Sequence, residues 1–157
     1  KRPFLTLWRE SNATRLLNEP EVAVSICYDI LHVDTENQQA LIGLILALTD
    51  QFGHASTVGI NQVLELILRL RDEYGRAYYT GIVYERQAKA RLNRAYSGAG
   101  FDAFDLFHDA MEGSEKADGI HPVGNEDAIL RWYTCARMIM DENLKPKPRD
   151  EVEHPLE

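Results

Sequence analysis

Apolar residues recur along this chain at the spacing of amphipathic helices. In the segment 21–52, an apolar stripe of Ala23, Cys27 and Ile30 is followed by a polar turn at 34–37 and then by a second apolar run. Residues three and four positions apart lie on one side of an α-helix, so the segment predicts two helices joined by a tight turn. The second helix is apolar on nearly all sides, and we expect several neighbours to cover it.

The start of each helix in this pair has its own sequence signal. Pro20 suits the first turn of the first helix, because the amide proton that proline lacks has no partner there. Thr35 is followed three residues later by Gln38, which is the spacing of a capping box. The second helix is therefore predicted to begin at this point.

The same periodicity predicts five further helices and no strand. Their positions are 3–17, 60–70, 76–96, 101–117 and 126–142. The interruptions between them are Gly53, 71–75, 97–100 and 119–125. We expect an all-α fold of seven helices in a single domain at 1–142, followed by an extended tail at 143–157.

Composition and charge narrow the classes of function. The 157 residues are 27% charged and 45% hydrophobic, which is typical of a globular domain. The formal net charge of −8 makes nucleic acid an unfavourable partner, because such binding needs a basic face. No run reaches the ~18 apolar residues of a membrane-spanning helix, so we expect no membrane partner. Cys27 and Cys135 lie on apolar stripes, which predicts buried thiols in a reducing, cytoplasmic environment.

Two segments have spacings that are also found at cofactor or metal sites. The segment 98–103 spells Gly-x-Gly-x-x-Ala, but a dinucleotide-binding loop must follow a strand and here a helix precedes it. One helix face carries Asp105, His108, Asp109 and Glu112. No second helix offers a matching pair of ligands, so we interpret this face as solvated. The sequence predicts a protein without catalytic residues, cofactor or metal.

The helix–turn–helix at 21–52 resembles the tetratricopeptide repeat, a two-helix unit of about 34 residues. Its apolar stripe matches the core positions of that family's second helix, and the turn 34–37 stands where the family has Asp-Pro-x-Asn. Gly81 and Tyr84 are spaced like a glycine and a tyrosine of the family's first helix. The small residues on this helix, Gly81 among them, predict that a neighbouring helix approaches closely. The resemblance is to degenerate repeats of a bacterial type. It implies a right-handed superhelix of antiparallel helix pairs.

The resemblance also implies a concave groove that binds a peptide or protein partner. By motif position, the groove residues are Gln39, Ile42, Leu46, Thr49, Asp50, Tyr78, Ile82, Glu85, Arg86 and Lys89. The apolar members Ile42, Leu46 and Ile82 would form a floor that provides affinity. Arg86 and Lys89 would favour an acidic partner, mainly by electrostatic steering.

Two other functions stay open at this point. Trp132, Tyr133 and Met140 point in several directions from the last helix, which favours self-association, with a homodimer through that helix as one form. The segment 86–94 concentrates arginine and lysine, as a helical DNA-contacting module of a bacterial transcriptional regulator would. These cations equally suit the carboxy-terminal half of a helix that has acidic neighbours.

Overall fold

The computed structural model describes Arg9, 18–53 and 58–149. In these residues the regular secondary structure consists of α-helices, joined by turns and loops, with no strand. The helices are α1 Pro20–Val33, α2 Gln38–Thr49, α3 Ile60–Ile67, α4 Glu73–Arg94, α5 Ala99–Ile120 and α6 Asp127–Asp141. The all-α prediction is confirmed for this part of the chain. The helix predicted at 3–17 lies, apart from Arg9, outside the described residues. None of the described helices combines the length and the apolar character that a membrane-spanning helix needs.

The six helices form a stack in chain order. Each helix contacts the next one, and in addition α2 contacts α4 and α4 contacts α6. Among the described residues, α1, α3 and α5 make no comparable contacts with one another. The stack therefore has an inner row of α2, α4 and α6, and its other three helices alternate with that row.

Burial repeats regularly in the helices outside the inner row. The residues 21–30, 61–70 and 101–110 show the same order of buried and exposed positions, a spacing of 40 residues. The buried positions are Ala23, Cys27 and Ile30, then Val63, Ile67 and Leu70, then Ala103, Phe107 and Ala110. Each copy thus turns one side to the core and the other to water.

Two helices begin at caps that the sequence analysis did not identify. The Asn37 side chain accepts a hydrogen bond from the Ala40 amide at 2.9 Å, so it caps α2 in place of the predicted capping box. Asp72 Oδ2 accepts from the Gly75 amide at 3.1 Å and caps α4. The segment 71–75, predicted to end a helix, therefore includes the first residues of α4, and α3 stops earlier.

The fifth helix is longer than predicted at both ends. The segment 97–100 was expected to be a break and the helix was expected at 101–117, but α5 runs from Ala99 to Ile120. Gly98 adopts a φ of 86°, a left-handed conformation that glycine adopts without steric cost, and the helix begins directly after it. The turn between α4 and α5 thus contains two left-handed residues, Gly98 and Ala95, whose φ is 51°.

Two glycines meet where α4 and α5 come closest. A Cβ atom on Gly113 would lie 2.8 Å from the Gly81 nitrogen and 3.1 Å from the Ala77 carbonyl oxygen. A Cβ atom on Gly81 would lie 3.1 Å from the Ser114 hydroxyl oxygen. The atoms opposite Gly113 belong to the backbone, so no rotamer change can make room for a side chain. The prediction that Gly81 allows close approach is confirmed, and its partner Gly113 was not predicted.

We expect Gly113→Ala to destabilise the fold by about 1–3 kcal/mol, because the added methyl group must push two helix backbones apart. Gly119→Ala is the matched control, since it lies in the same helix with no atom within 4 Å of its Cβ position. That change should stabilise by up to about 1 kcal/mol through helix propensity. Urea unfolding followed by circular dichroism measures both. Equal stability of the two variants would contradict the close contact.

Candidate functional site

A cleft of about 390 Å³ lies at the amino-terminal ends of α2, α4 and α6. Ile42 of α2 and Tyr74, Tyr78 and Tyr79 of α4 line it, together with Asp127 of α6. We call it the tyrosine cleft. It is formed by the first turns of the inner helices, and the caps that start these helices therefore determine its position.

A second depression of about 300 Å³ continues the tyrosine cleft along α6. Its lining consists of Tyr78, Asp127, Leu130, Arg131 and Thr134. Tyr78 and Asp127 line both depressions. The two depressions therefore adjoin at these residues, and we call them together the inner groove.

The three tyrosines make mutual ring contacts. Tyr74 and Tyr78 are one helical turn apart and stack with ring centroids 5.6 Å apart and planes at 12°. Tyr79 meets Tyr78 edge-on, with centroids 5.2 Å apart and planes at 80°. Burial raises the pKa of both Tyr74 and Tyr79, and the nearby Asp127 carboxylate contributes to both increases. The three residues remain partly exposed, so the cleft presents aromatic surface to solvent beside a negative charge.

Arg86 joins α4 to the carboxy-terminal end of α2. Its Nη1 atom donates to the Leu46 carbonyl at 3.1 Å and to Thr49 Oγ1 at 2.7 Å. The same atom lies 2.9 Å from Asp50 Oδ1, and both side chains of this pair are less than one-third exposed. The guanidinium group is thus bound by acceptors of the chain itself. This arrangement does not suit the predicted role of Arg86 as a cation that receives an acidic partner.

Glu85 joins α4 to α6. This residue is 1% exposed, and it is the one charged residue among the buried polar residues that the structure describes. Its Oε2 atom accepts from Lys89 Nζ at 3.1 Å and from Arg131 Nη1 at 3.0 Å, and Cys135 Sγ donates to Oε1 at 3.5 Å. Burial and the Glu85 carboxylate raise the pKa of Cys135 to about 12, which keeps this thiol protonated and unreactive at neutral pH.

The structure divides the ten predicted groove residues among different surroundings. Ile42 and Tyr78 line the inner groove, whereas Gln39 is exposed outside its lining. Ile82, expected on the apolar floor, is 4% exposed and is covered by the chain itself. The remaining residues belong to the two helix-joining clusters, which are Leu46, Thr49, Asp50 and Arg86 for one and Glu85 and Lys89 for the other.

The sequence analysis missed most of the residues that line the inner groove. Tyr74 was not predicted there, because the segment 71–75 was assigned to the end of the preceding helix. Tyr79 and Asp127 lay within predicted helices, but they are not at the positions that the tetratricopeptide resemblance assigns to the groove. The available signal was Asp72 three residues before Gly75, a capping spacing that places all three tyrosines in the first two turns of α4.

The other segments with potential chemistry form no site in the described residues. No group of three or more histidine, cysteine, aspartate or glutamate side chains is arranged to hold a metal ion in this part of the chain. On the α5 face that carries Asp109, partial burial and then the like charges of Glu112 and Asp105 raise the pKa of Asp109. In the segment 86–94, Arg91 donates to the Tyr96 hydroxyl at 3.2 Å.

The last described helix leaves apolar side chains uncovered. Leu130 is 59% exposed, Tyr133 is 53% exposed and Met140 is 76% exposed. Their spacing of three and seven residues places them on one side of α6. This side forms a second surface that a partner could cover.

Comparisons with models of protein families, with curated proteins and with solved structures found no match to this chain. The tetratricopeptide resemblance therefore stays a prediction. The geometry of the inner groove and of the two helix-joining clusters is the basis for the functional argument below.

Replacing Arg86 tests whether it holds α2 against α4. Arg86→Glu should destabilise by about 1–3 kcal/mol, since it removes three contacts and puts a second carboxylate beside Asp50. Arg94→Glu, an exposed change in the last turn of the same helix, should cost at most about 1 kcal/mol through the helix dipole. Thermal unfolding compares the variants. Similar losses for both would show that Arg86 does not bridge the helices in solution.

Proposed function

We propose that this protein is a non-catalytic scaffold or adaptor with a tetratricopeptide-like helix stack, which binds an extended peptide or protein segment in the inner groove. The observation that carries the proposal is the cluster of Tyr74, Tyr78 and Tyr79, partly exposed on the floor of a groove. Tyrosine gives a large contact area at a low cost in conformational entropy and is enriched among the residues that dominate protein binding energy.

The shape of the groove supports an elongated ligand. The tyrosine cleft has room for a side chain or two, and the depression beside Leu130 and Thr134 extends it along α6. A segment in extended conformation can place alternate side chains into successive depressions, which is a common mode of peptide recognition. A compact small molecule would use one depression and leave the other empty.

The state of the reactive groups supports a non-catalytic role. The Cys135 thiol, with its pKa near 12, is a poor nucleophile, and the Glu85 carboxylate is held by cations of its own chain. Both cysteines are buried and neither is in a disulfide, which suits a cytoplasmic location. We include that location in the proposal.

Selection from a library of displayed random peptides tests groove binding without knowledge of the partner. Peptides enriched on the wild-type protein should lose binding to Tyr78→Ala and keep it to Tyr28→Ala. Tyr28 is the matched control, since it is a half-exposed tyrosine on α1, away from the groove. Truncation of a central aromatic contact typically costs about 2 kcal/mol or more, which is about thirtyfold in affinity. No enrichment, or equal binding to both variants, would reject the groove.

Self-association through α6 is a second candidate function, because one side of this helix exposes apolar side chains that a second copy of the helix could cover. Leucine, tyrosine and methionine are exposed together on one side of α6, and such an apolar surface is typical of a site that a partner covers. In a twofold dimer, the same face of each copy would cover the other. This candidate uses a surface next to the inner groove, and the two are compatible.

Light scattering after gel filtration measures the self-association directly. If α6 pairs, the double variant Tyr133→Ser/Met140→Gln should be monomeric where the wild type is a dimer, at protein concentrations of about 100 μM. The control Val33→Ser/Leu68→Gln removes two apolar side chains that are 73% and 77% exposed, at the carboxy-terminal ends of α1 and α3, and should leave the dimer intact. A wild type that is monomeric throughout this range would reject the candidate.

A further inference from the structure

We propose that the ligand of the inner groove is a basic segment of a partner protein, in which a lysine or arginine side chain enters the tyrosine cleft and faces Asp127. This inference rests on the proposed function, and it adds the sign of charge that the groove selects. It reverses the acidic partner that the sequence alone favoured.

The cations that line the groove are paired with acidic residues of the same chain. Arg131 lines the groove beside Tyr78, but its guanidinium group is 3.0 Å from the buried Glu85 carboxylate. Arg71 lies at the rim and pairs with Glu36 at 3.5 Å. A ligand carboxylate would have to compete with these internal acids for each cation.

The carboxylates at the groove have no such compensation. In the part of the chain that the structure describes, Asp127 takes part in no ion pair, although it lines both depressions. Asp72 also lines the tyrosine cleft, and its partner is the Gly75 amide, so its negative charge remains. Lys89 and Arg131 share the single charge of Glu85, which leaves one positive charge, and the two carboxylates Asp72 and Asp127 outweigh it. The charge left after internal pairing is therefore negative, in a protein that already carries a formal charge of −8.

The aromatic floor adds an attraction that distinguishes cations from neutral side chains. The faces of aromatic rings are negative, and a lysine or arginine group within about 6 Å of a tyrosine centroid is attracted to them. The stacked pair Tyr74 and Tyr78 lies beside Asp127, whose carboxylate contributes to the raised pKa of Tyr74. A cation in the cleft would thus meet ring faces and a carboxylate together, while the methylene groups of its side chain pack against Ile42.

Helix termini account for part of this arrangement but not for all of it. Asp72 and Asp127 lie in or next to the first turns of α4 and α6, where acidic residues are favoured by the helix dipole. That preference explains the presence of the acids. It does not explain why three tyrosines and a cleft of about 390 Å³ adjoin them.

Titration of the full chain with short peptides, followed by NMR, tests the charge preference. The probes are three heptapeptides in which alanine alternates with lysine, with glutamate or with glutamine. The lysine peptide should shift the amide signals of Tyr74, Tyr78 and Asp127 at the lowest concentration. Raising the salt from about 50 to about 200 mM should weaken its binding, because exposed charges are then screened.

Two pairs of variants assign the effect to the cleft. Asp127→Asn should weaken binding of the lysine peptide by about three- to tenfold, and Asp141→Asn at the other end of α6 should not. Tyr78→Leu should weaken it to a similar extent, with Tyr28→Leu as its control. Comparison of the amide spectra of each variant with those of the wild type verifies that the fold is retained. If either groove variant fails to fold, the salt dependence of lysine-peptide binding to the wild-type protein decides whether charge governs the binding.

Three results would overturn the inference. The first is that the glutamate or glutamine peptide binds the same cleft as tightly as the lysine peptide. The second is that the lysine peptide shifts the signals of residues elsewhere. The third is that no signal of the cleft residues moves at millimolar peptide concentration. The first of these would leave the proposed groove function intact, since a ligand of other charge then uses the same surface. The proposed function itself is judged by the displayed peptides, whose selection does not depend on charge.

Discussion

The position of α6 depends on the burial of one carboxylate. A charge cannot leave water without partners, and Glu85 at 1% exposure obtains two of its three from α6, a cation and a thiol. These contacts fix which side of α6 faces α4. The same orientation brings Asp127 and Leu130 to the groove and leaves Met140 uncovered on the outside. Glu85, which does not line the groove, is thus a main determinant of the groove's shape.

On its opposite side, α4 packs against α5, and steric constraint rather than charge determines this contact. Gly81 and Gly113 allow α5 to approach until backbone atoms touch, and Phe107 and Ala110 are fully buried in the core nearby. With α5 on one side and Arg86 bound to α2 on another, the rotation of α4 is determined. Its first turns then present Tyr74 and Tyr78 at the surface. The exposed aromatic floor follows from constraints that act elsewhere on the same helix.

Much of the fold could be predicted from the sequence, because it depends on local periodicity. The stripe of Ala23, Cys27 and Ile30 and the close approach at Gly81 were predicted from spacing and residue size, and both are present. Helix ends were predicted less well. Asp72 and Asn37 were overlooked as caps, and the displaced start of α4 removed Tyr74 from the predicted groove. Tyr79 and Asp127 were in predicted helices, but the motif positions of the resemblance did not select them, because which helix faces meet depends on contacts between distant helices.

The charge of the groove could not be predicted from the sequence, because it depends on pairs that are distant along the chain. The cations in 86–94 form a positive segment along the sequence. In the folded chain, however, Arg86 pairs with Asp50, which lies 36 residues away. In the same way, Arg131 meets Glu85 across 46 residues. Stacking the helices brings these opposite charges together, so a ligand carboxylate would have to compete with an internal acid for each of these cations. Asp127 has no such partner among the described residues, so the electrostatic character of the groove is the inverse of the character of its most basic helix.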